Sequence, residues 1–140
     1  MKILLPVDGS PYTKKALAFL VTHEQLCGPD DELSVIHVQP PMPPRVKTLV
    51  GASAVHQYHE QEAQRVLAPI EKFLDRHHLH YKARWLLGSA SHEIVKAADK
   101  EGAHMIVMGT HGHGVLGRAM MGSVAQRVVT DSPVPVLLVR

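Results

Sequence analysis

Residues 104–123, HMIVMGTHGHGVLGRAMMGS, set a short, unbroken apolar run directly before a stretch rich in glycine. An apolar run without polar alternation, here His104 to Met108, reads as a strand covered on both faces. Gly109 and Gly112 fall where the chain must turn sharply off that strand. Gly122 and Ser123 fall where a helix resumes and continues to about Asp131, with Ser123 able to cap it.

The same alternation extends in both directions. Ile3 to Val7 is another short apolar strand. Ser10 and Pro11 read as N-cap and first helical residue of a helix to about Leu26, where Ala16, Leu17, Leu20 and Val21 form an apolar stripe. Gly28-Pro29 ends it. Leu33 to Val38 is the second strand, and the proline patch QPPMPP, residues 39–44, must be an extended or turning connection. A long polar helix follows from about Ser53 to His78, with Pro69 expected to kink or divide it. Tyr81 to Leu87 is the third strand, Ser89 caps a helix to about Glu101 with Gly102 at its end, and Val134 to Val139 is the fifth strand.

Strands alternating with helices predict one α/β domain over residues 1–140 with a parallel sheet, because parallel neighbours need crossover connections. Val7 and Met108 end the two strands whose following loops are the most specialised. Strand order 3-2-1-4-5 makes those strands neighbours where the order reverses, so both loops line the crevice in which such sheets bind ligands. Periodicity does not prove this order; it is chosen because it unites the two loops.

Composition narrows the function. The chain has 140 residues with 15 Lys+Arg against 13 Asp+Glu, a balance that gives no electrostatic case for nucleic acid or an anionic membrane. Aromatic residues, at 4%, offer few stacking platforms for single strands. No run approaches the roughly 20 apolar residues of a membrane span. A lone cysteine, Cys27, excludes an internal disulfide and suits a cytoplasmic location.

The glycine stretch contains a literal G-x-G-x-x-G at Gly112, Gly114 and Gly117, but a dinucleotide fingerprint requires a helix at once and an acid about 20 residues on. Here the following residues stay irregular and the next strand ends in Leu137, Leu138, Val139 and Arg140. A Walker A loop needs G-K-[ST]; Gly122-Ser123 supplies the hydroxyl without the lysine. The His111 to His113 triplet differs from the H-x-G-H of nucleotidylyl transferases in following the fourth strand, not the first. Two readings stay open on glycine spacing alone. In one, the glycines bring bare amides to an anion while the helix start at Gly122 and Ser123 adds free N–H groups and its dipole. In the other, they merely permit a surface loop.

The spacing Gly109-x-x-Gly112, nine residues, then Gly122-Ser123 resembles the G-x2-G-x9-G-[ST] pattern of the ATP-binding subgroup of the universal stress protein family. KILLPVDGSPYTKKAL is similar to that family's first strand, aspartate and helix. LSVIHV resembles its second strand, GSASHEIVKAADKEGAHMIVMGTHG its third helix and fourth strand, and PVPVLLVR its last strand. The resemblance implies a Rossmann-like, three-layer fold and an ATP site, with AMP or ADP as the other adenine ligands. By that resemblance Val38 would offer backbone groups to the adenine edge, and Pro6 and Val7 would wall the base beside Met108. Asp8 would lie on the nucleoside side, near ribose or a metal-bound water. Gly109 and Gly112 would meet ribose and α-phosphate, and Gly122, Ser123 and the Val124 amide would hold the β- and γ-phosphates, bridged by Mg2+. Family loops often carry a cation near His113; a neutral histidine there would weaken triphosphate binding at pH 7 and strengthen it as pH falls.

The resemblance also implies a homodimer in which Val134 to Val139 pairs with its copy, plus a protein partner whose identity the sequence does not give. No triad, carboxylate pair or activated nucleophile is legible. ATP is therefore expected to act as a regulatory ligand; a slow ATPase or a nucleotide-independent interaction module are the alternatives. Asp8 is an isolated acid, unlike the carboxylate cluster of a response-regulator receiver. His77, His78 and His80, and His56 with His59, lack zinc-site spacing and read as solvated surface histidines.

Overall fold

The computed structural model describes residues 1–113 and 120–140. In chain order the elements are β1 (Lys2–Pro6), α1 (Pro11–Thr22), β2 (Glu32–Gln39), α2 (Pro44–Val50), α3 (Ala52–Arg76), β3 (Tyr81–Leu87), α4 (Ala90–Glu101), β4 (Met105–Gly109), α5 (Ser123–Asp131) and β5 (Val136–Val139). The strands form one parallel sheet in the order β3-β2-β1-β4-β5. That is the order expected from the two specialised loops. It makes β1 and β4 neighbours, with Ile3 opposite Met105 and Leu4 opposite Ile106.

Strand alternation divides the apolar residues between two cores. Ile3, Leu5 and Val7, with Leu33, Val35 and Val107, face α1 and α3, where they meet Ala16, Leu17, Leu20, Leu67, Ile70 and Leu74. Leu4, Ile36, Ile106 and Met108 face α4 and α5, against Ile94, Ala97, Ala98, Ala125 and Val128. Each fully buried aliphatic side chain contributes about 1.5–3 kcal/mol, and both faces of the central strands are used. Hence the strands read as continuous apolar runs rather than alternating ones.

Several local expectations are corrected. The first helix ends at Thr22, not near Leu26; His23 N–H bonds back to Leu20, and a turn with Leu26 N–H on His23 O follows. The end of the proline patch starts a helix, because Pro44 takes the first helical position, where a missing N–H costs nothing. Gly51, at φ +87, then separates α2 from α3. Pro69 does not break α3, which runs unbroken over 25 residues. Pro69 and Arg65, whose carbonyl loses its intrahelical partner, are both exposed, so that carbonyl lies on the solvent side of the helix where the lost bond costs least. His59 is not a surface histidine. It occupies the buried stripe His59, Ala63, Leu67, Ile70, Leu74, only 2% exposed, with neither ring nitrogen hydrogen-bonded. His56 is exposed and lies 3.8 Å from Glu60.

Candidate functional site

At the C-terminal ends of β1, β2 and β4 a cleft of about 330 Å³ opens on the α4–α5 side of the sheet. Its inner walls are Ile36 and Val38 from β2, Met108 from β4 and Ile94 from α4, all of the second core, together with Ala90 at the start of α4. Pro6 and Val7 close the β1 side. Its outer end is made by Asp8, Thr13, Gly109, His111, Gly112, His113, Gly122, Ser123, Val124 and Ala125. All eleven residues singled out from the sequence (Pro6, Val7, Asp8, Val38, Met108, Gly109, Gly112, His113, Gly122, Ser123 and Val124) therefore line one cavity. The central part of the glycine stretch, residues 114–119, lies outside the described residues.

The turn after β1 is held by Asp8. Its Oδ1 accepts from Ser10 N–H at 2.9 Å and from the Thr13 hydroxyl at 2.8 Å, while Thr13 Oγ1 accepts from Asp8 N–H at 3.0 Å. Gly9 between them has φ +76, a conformation glycine adopts without strain. Ser10 caps α1 as expected, its side chain accepting from Thr13 N–H. Asp8 is thus fixed at the start of α1, and its second oxygen is left facing the glycine loop.

That loop is pressed against its surroundings. A Cβ on Gly112 would lie 2.6 Å from Asp8 Oδ2, and one on Gly109 would lie 2.6 Å from Tyr12 Cβ. Gly122 N–H donates to Thr110 O at 2.8 Å, and a Cβ there would meet His111 Cα and Thr110 O at 3.2 Å. The two ends of the loop therefore meet at residues 110–112 and 122, a closure for which only the smallest side chain leaves room. Gly122, not Ser123, is the N-cap of α5, and no side chain caps that helix. Ser123 is its first residue, so its hydroxyl is not spent on capping. The first helical bond runs from Gln126 N–H to Gly122 O, so the amides of Ser123, Val124 and Ala125 precede the intrahelical ladder and lie at the positive end of the helix dipole.

Two histidines pin the loop. His113 Nε2 donates to Asp8 O at 2.6 Å. His111 was not among the residues singled out from the sequence; its Nε2 bonds Met120 O, its Nδ1 lies 2.8 Å from Thr110 Oγ1, and its ring packs on Tyr12 with centroids 4.7 Å apart. Its signal was its place between Gly109 and Gly112, two residues with no room for side chains. Thr13, Ile36, Ala90, Ile94 and Ala125 were also missed, because a cleft wall read one residue at a time looks like ordinary core.

Among the described residues lining the cleft, Asp8 carries the only formal charge at neutral pH. No group of three or more metal-ligating side chains occurs among the described residues. Asp8 alone is too small a donor set to hold magnesium, so such an ion fits this cleft only if phosphate and water supply its other ligands. No helix among the described residues is long and apolar enough to cross a membrane.

An open parallel sheet with helices on both faces and a cleft at its switch point, glycine-lined at one end and apolar at the other, defines a doubly wound α/β domain. The chain belongs to the universal stress protein family, whose family model it matches over residues 1–140. It is 36% identical over 139 residues to a universal stress protein of Thermus aquaticus, covering 99% of this chain and 97% of that one. It is 31% identical to Universal stress protein MJ0531 of Methanocaldococcus jannaschii, covering 99% and 81%. The solved structure of protein MJ0577 is similar with a TM-score of 0.83 at 30% identity, covering 99% of this chain and 94% of that one. The Archaeoglobus fulgidus universal stress protein, solved in complex with dAMP, has the same fold at 22% identity and a TM-score of 0.71, covering 100% and 98%.

Proposed function

We propose that the cleft binds an adenine nucleotide, ATP with magnesium foremost, and that the liganded state of the glycine loop is what a cytoplasmic regulatory dimer presents to its partners. The observation that carries this reading is the convergence of an apolar slot with the amide end of α5 across Gly112 and Gly122. The slot suits a flat base, and the amides suit phosphate oxygens. The dAMP complex of the Archaeoglobus protein supports the reading, as do universal stress protein family structures solved with cAMP and with AMP.

To test it, the purified chain is denatured and released nucleotide is identified by chromatography and mass spectrometry, with Gly122→Val as control. About one adenine nucleotide per chain, lost in the variant, is the expected result. An empty protein that also refuses added ATP with magnesium would overturn the reading.

The dimer rests on the contrast between the two sheet edges. β3 carries Lys82 and Arg84, both exposed, as edge strands do when association is discouraged. β5 is VLLV, without a charge, and its outer backbone groups are available for pairing. Light scattering at micromolar concentration is expected to give twice the chain mass; a monomer mass would contradict pairing through β5.

A further inference from the structure

We propose that His37 is a positioning residue for the base end of the cleft; this rests on the nucleotide reading above. By taking the Val7 carbonyl it ends the β1–β2 ladder one bond early, which leaves the N–H and C=O of Val38 to read a 6-aminopurine.

β1 and β2 pair from Lys2 opposite Glu32 to Pro6 opposite Ile36, and the last bond runs from Val7 N–H to Ile36 O at 2.8 Å. A regular parallel ladder would continue with Val38 N–H on Val7 O. No such bond occurs among the described residues. Instead His37 Nδ1 lies 2.8 Å from Val7 O. A carbonyl only accepts, so Nδ1 carries the ring proton, and Nε2 accepts from the Gln39 side-chain amide at 2.8 Å. Both side chains are buried, so the relay from Gln39 through His37 to Val7 is built into the core.

Its consequence lies on the other face of the sheet. Side chains alternate along β2, which puts His37 with Val35 on the α1–α3 side and Val38 with Ile36 on the cleft side. His37 does not line the cleft and acts on it through the backbone. Backbone groups alternate between the two neighbouring strands. Ile36 O faces β1, whereas Gln39 O accepts from Gly88 N–H, after β3, at 2.9 Å. The N–H and C=O of Val38 therefore point past the end of β1. Val38 is still held as strand, because β2 pairs with β3 as far as Gln39 opposite Leu87. On the far side of β1, pairing with β4 stops at Leu4 opposite Ile106, and Pro6 has no N–H to extend it. One donor and one acceptor beside an apolar slot complement the N1 acceptor and 6-amino donor of adenine. A 6-oxopurine presents the reverse, a donor at N1 and an acceptor at O6, and leaves such a pair unmatched.

The test titrates ATP and ITP, each with magnesium, into the full chain. Wild type is compared with the near-isosteric pair His37→Asn and His37→Leu, and circular dichroism establishes that each is folded. The triphosphate is common to both ligands. Asparagine keeps a donor near the place of Nδ1, and leucine keeps none. Wild type is expected to prefer ATP over ITP by about tenfold. His37→Asn keeps most of this preference, and His37→Leu lowers it below about threefold by weakening ATP and not ITP. Amide exchange followed by NMR on wild type reads the same edge without a variant: the Val38 amide exchanges fast in the free protein and is slowed by saturating ATP. No wild-type preference, a preference unchanged in His37→Leu, equal losses for both nucleotides, or a Val38 amide already slow without ligand would overturn the inference while nucleotide binding stands. Should His37→Leu fail to fold, the exchange measurement decides. Binding of neither ATP nor ITP to wild type would remove the nucleotide reading itself, and this inference with it.

Discussion

At its inner end the cleft is a continuation of the core. Ile36, Ile94 and Met108 are all buried, and they pack the strands against α4 and α5 as part of the second core. At its outer end there is little side chain: Gly112 and Gly122 leave room for Asp8 and the 110–111 backbone, and the polar surface is made of amides, hydroxyls, two imidazoles and the Asp8 carboxylate. On the proposed nucleotide reading, one end is tied to stability and the other to ligand. A substitution should report which end it touches by which property it changes.

The largest effect is expected at the inner end. Ile94→Ala removes a side chain only 3% exposed and should cost about 2–4 kcal/mol of unfolding free energy in urea denaturation. A loss below about 1 kcal/mol would mean that this wall is not core. Gly122→Val should behave the other way. It forces the loop ends apart and should weaken ATP binding by roughly 100-fold, or about 2.8 kcal/mol, while costing about 1 kcal/mol of stability. Equal losses in both properties would erase the distinction between the two ends.

Smaller effects sharpen it. Gly112→Ala places a methyl 2.6 Å from Asp8 Oδ2 and should lower ATP affinity by about tenfold. Adding Asp8→Ala should restore part of that loss, and strictly additive effects would show that the contact with Asp8 is not the cause. Ser123→Ala should lower ATP affinity about threefold and change stability by less than about 0.5 kcal/mol, because Ser123 caps nothing. A destabilisation near 1 kcal/mol would instead assign its hydroxyl to the helix.

The strand order was legible because two unusual loops had to meet, and β1, β2 and β4 were legible because strands buried on both faces leave unbroken apolar runs. The outer end of the cleft was legible from glycine and serine spacing. Two kinds of feature escaped. Helix punctuation by proline depends on where in the helix it falls and which face it lies on, so Pro44 at the first position opens α2 and Pro69 on the exposed face leaves α3 intact. Cleft walls such as Ala90 and Ile94 follow the same period as core, and only the packed sheet distinguishes the residues at its rim. His59 escaped for a related reason: its spacing to Ala63 and Leu67 placed it on the buried stripe, but its residue type argued for water.

The most direct test of one adenine nucleotide site with two unlike ends is an amide NMR titration with ATP and magnesium on the full chain. The account predicts that the backbone signals of Val38 and Ile94 move together with those of Gly112, Gly122 and Ser123, saturating at the same nucleotide concentration. Shifts confined to the glycine loop would mean that it binds phosphate alone. No shift at either end would contradict the site.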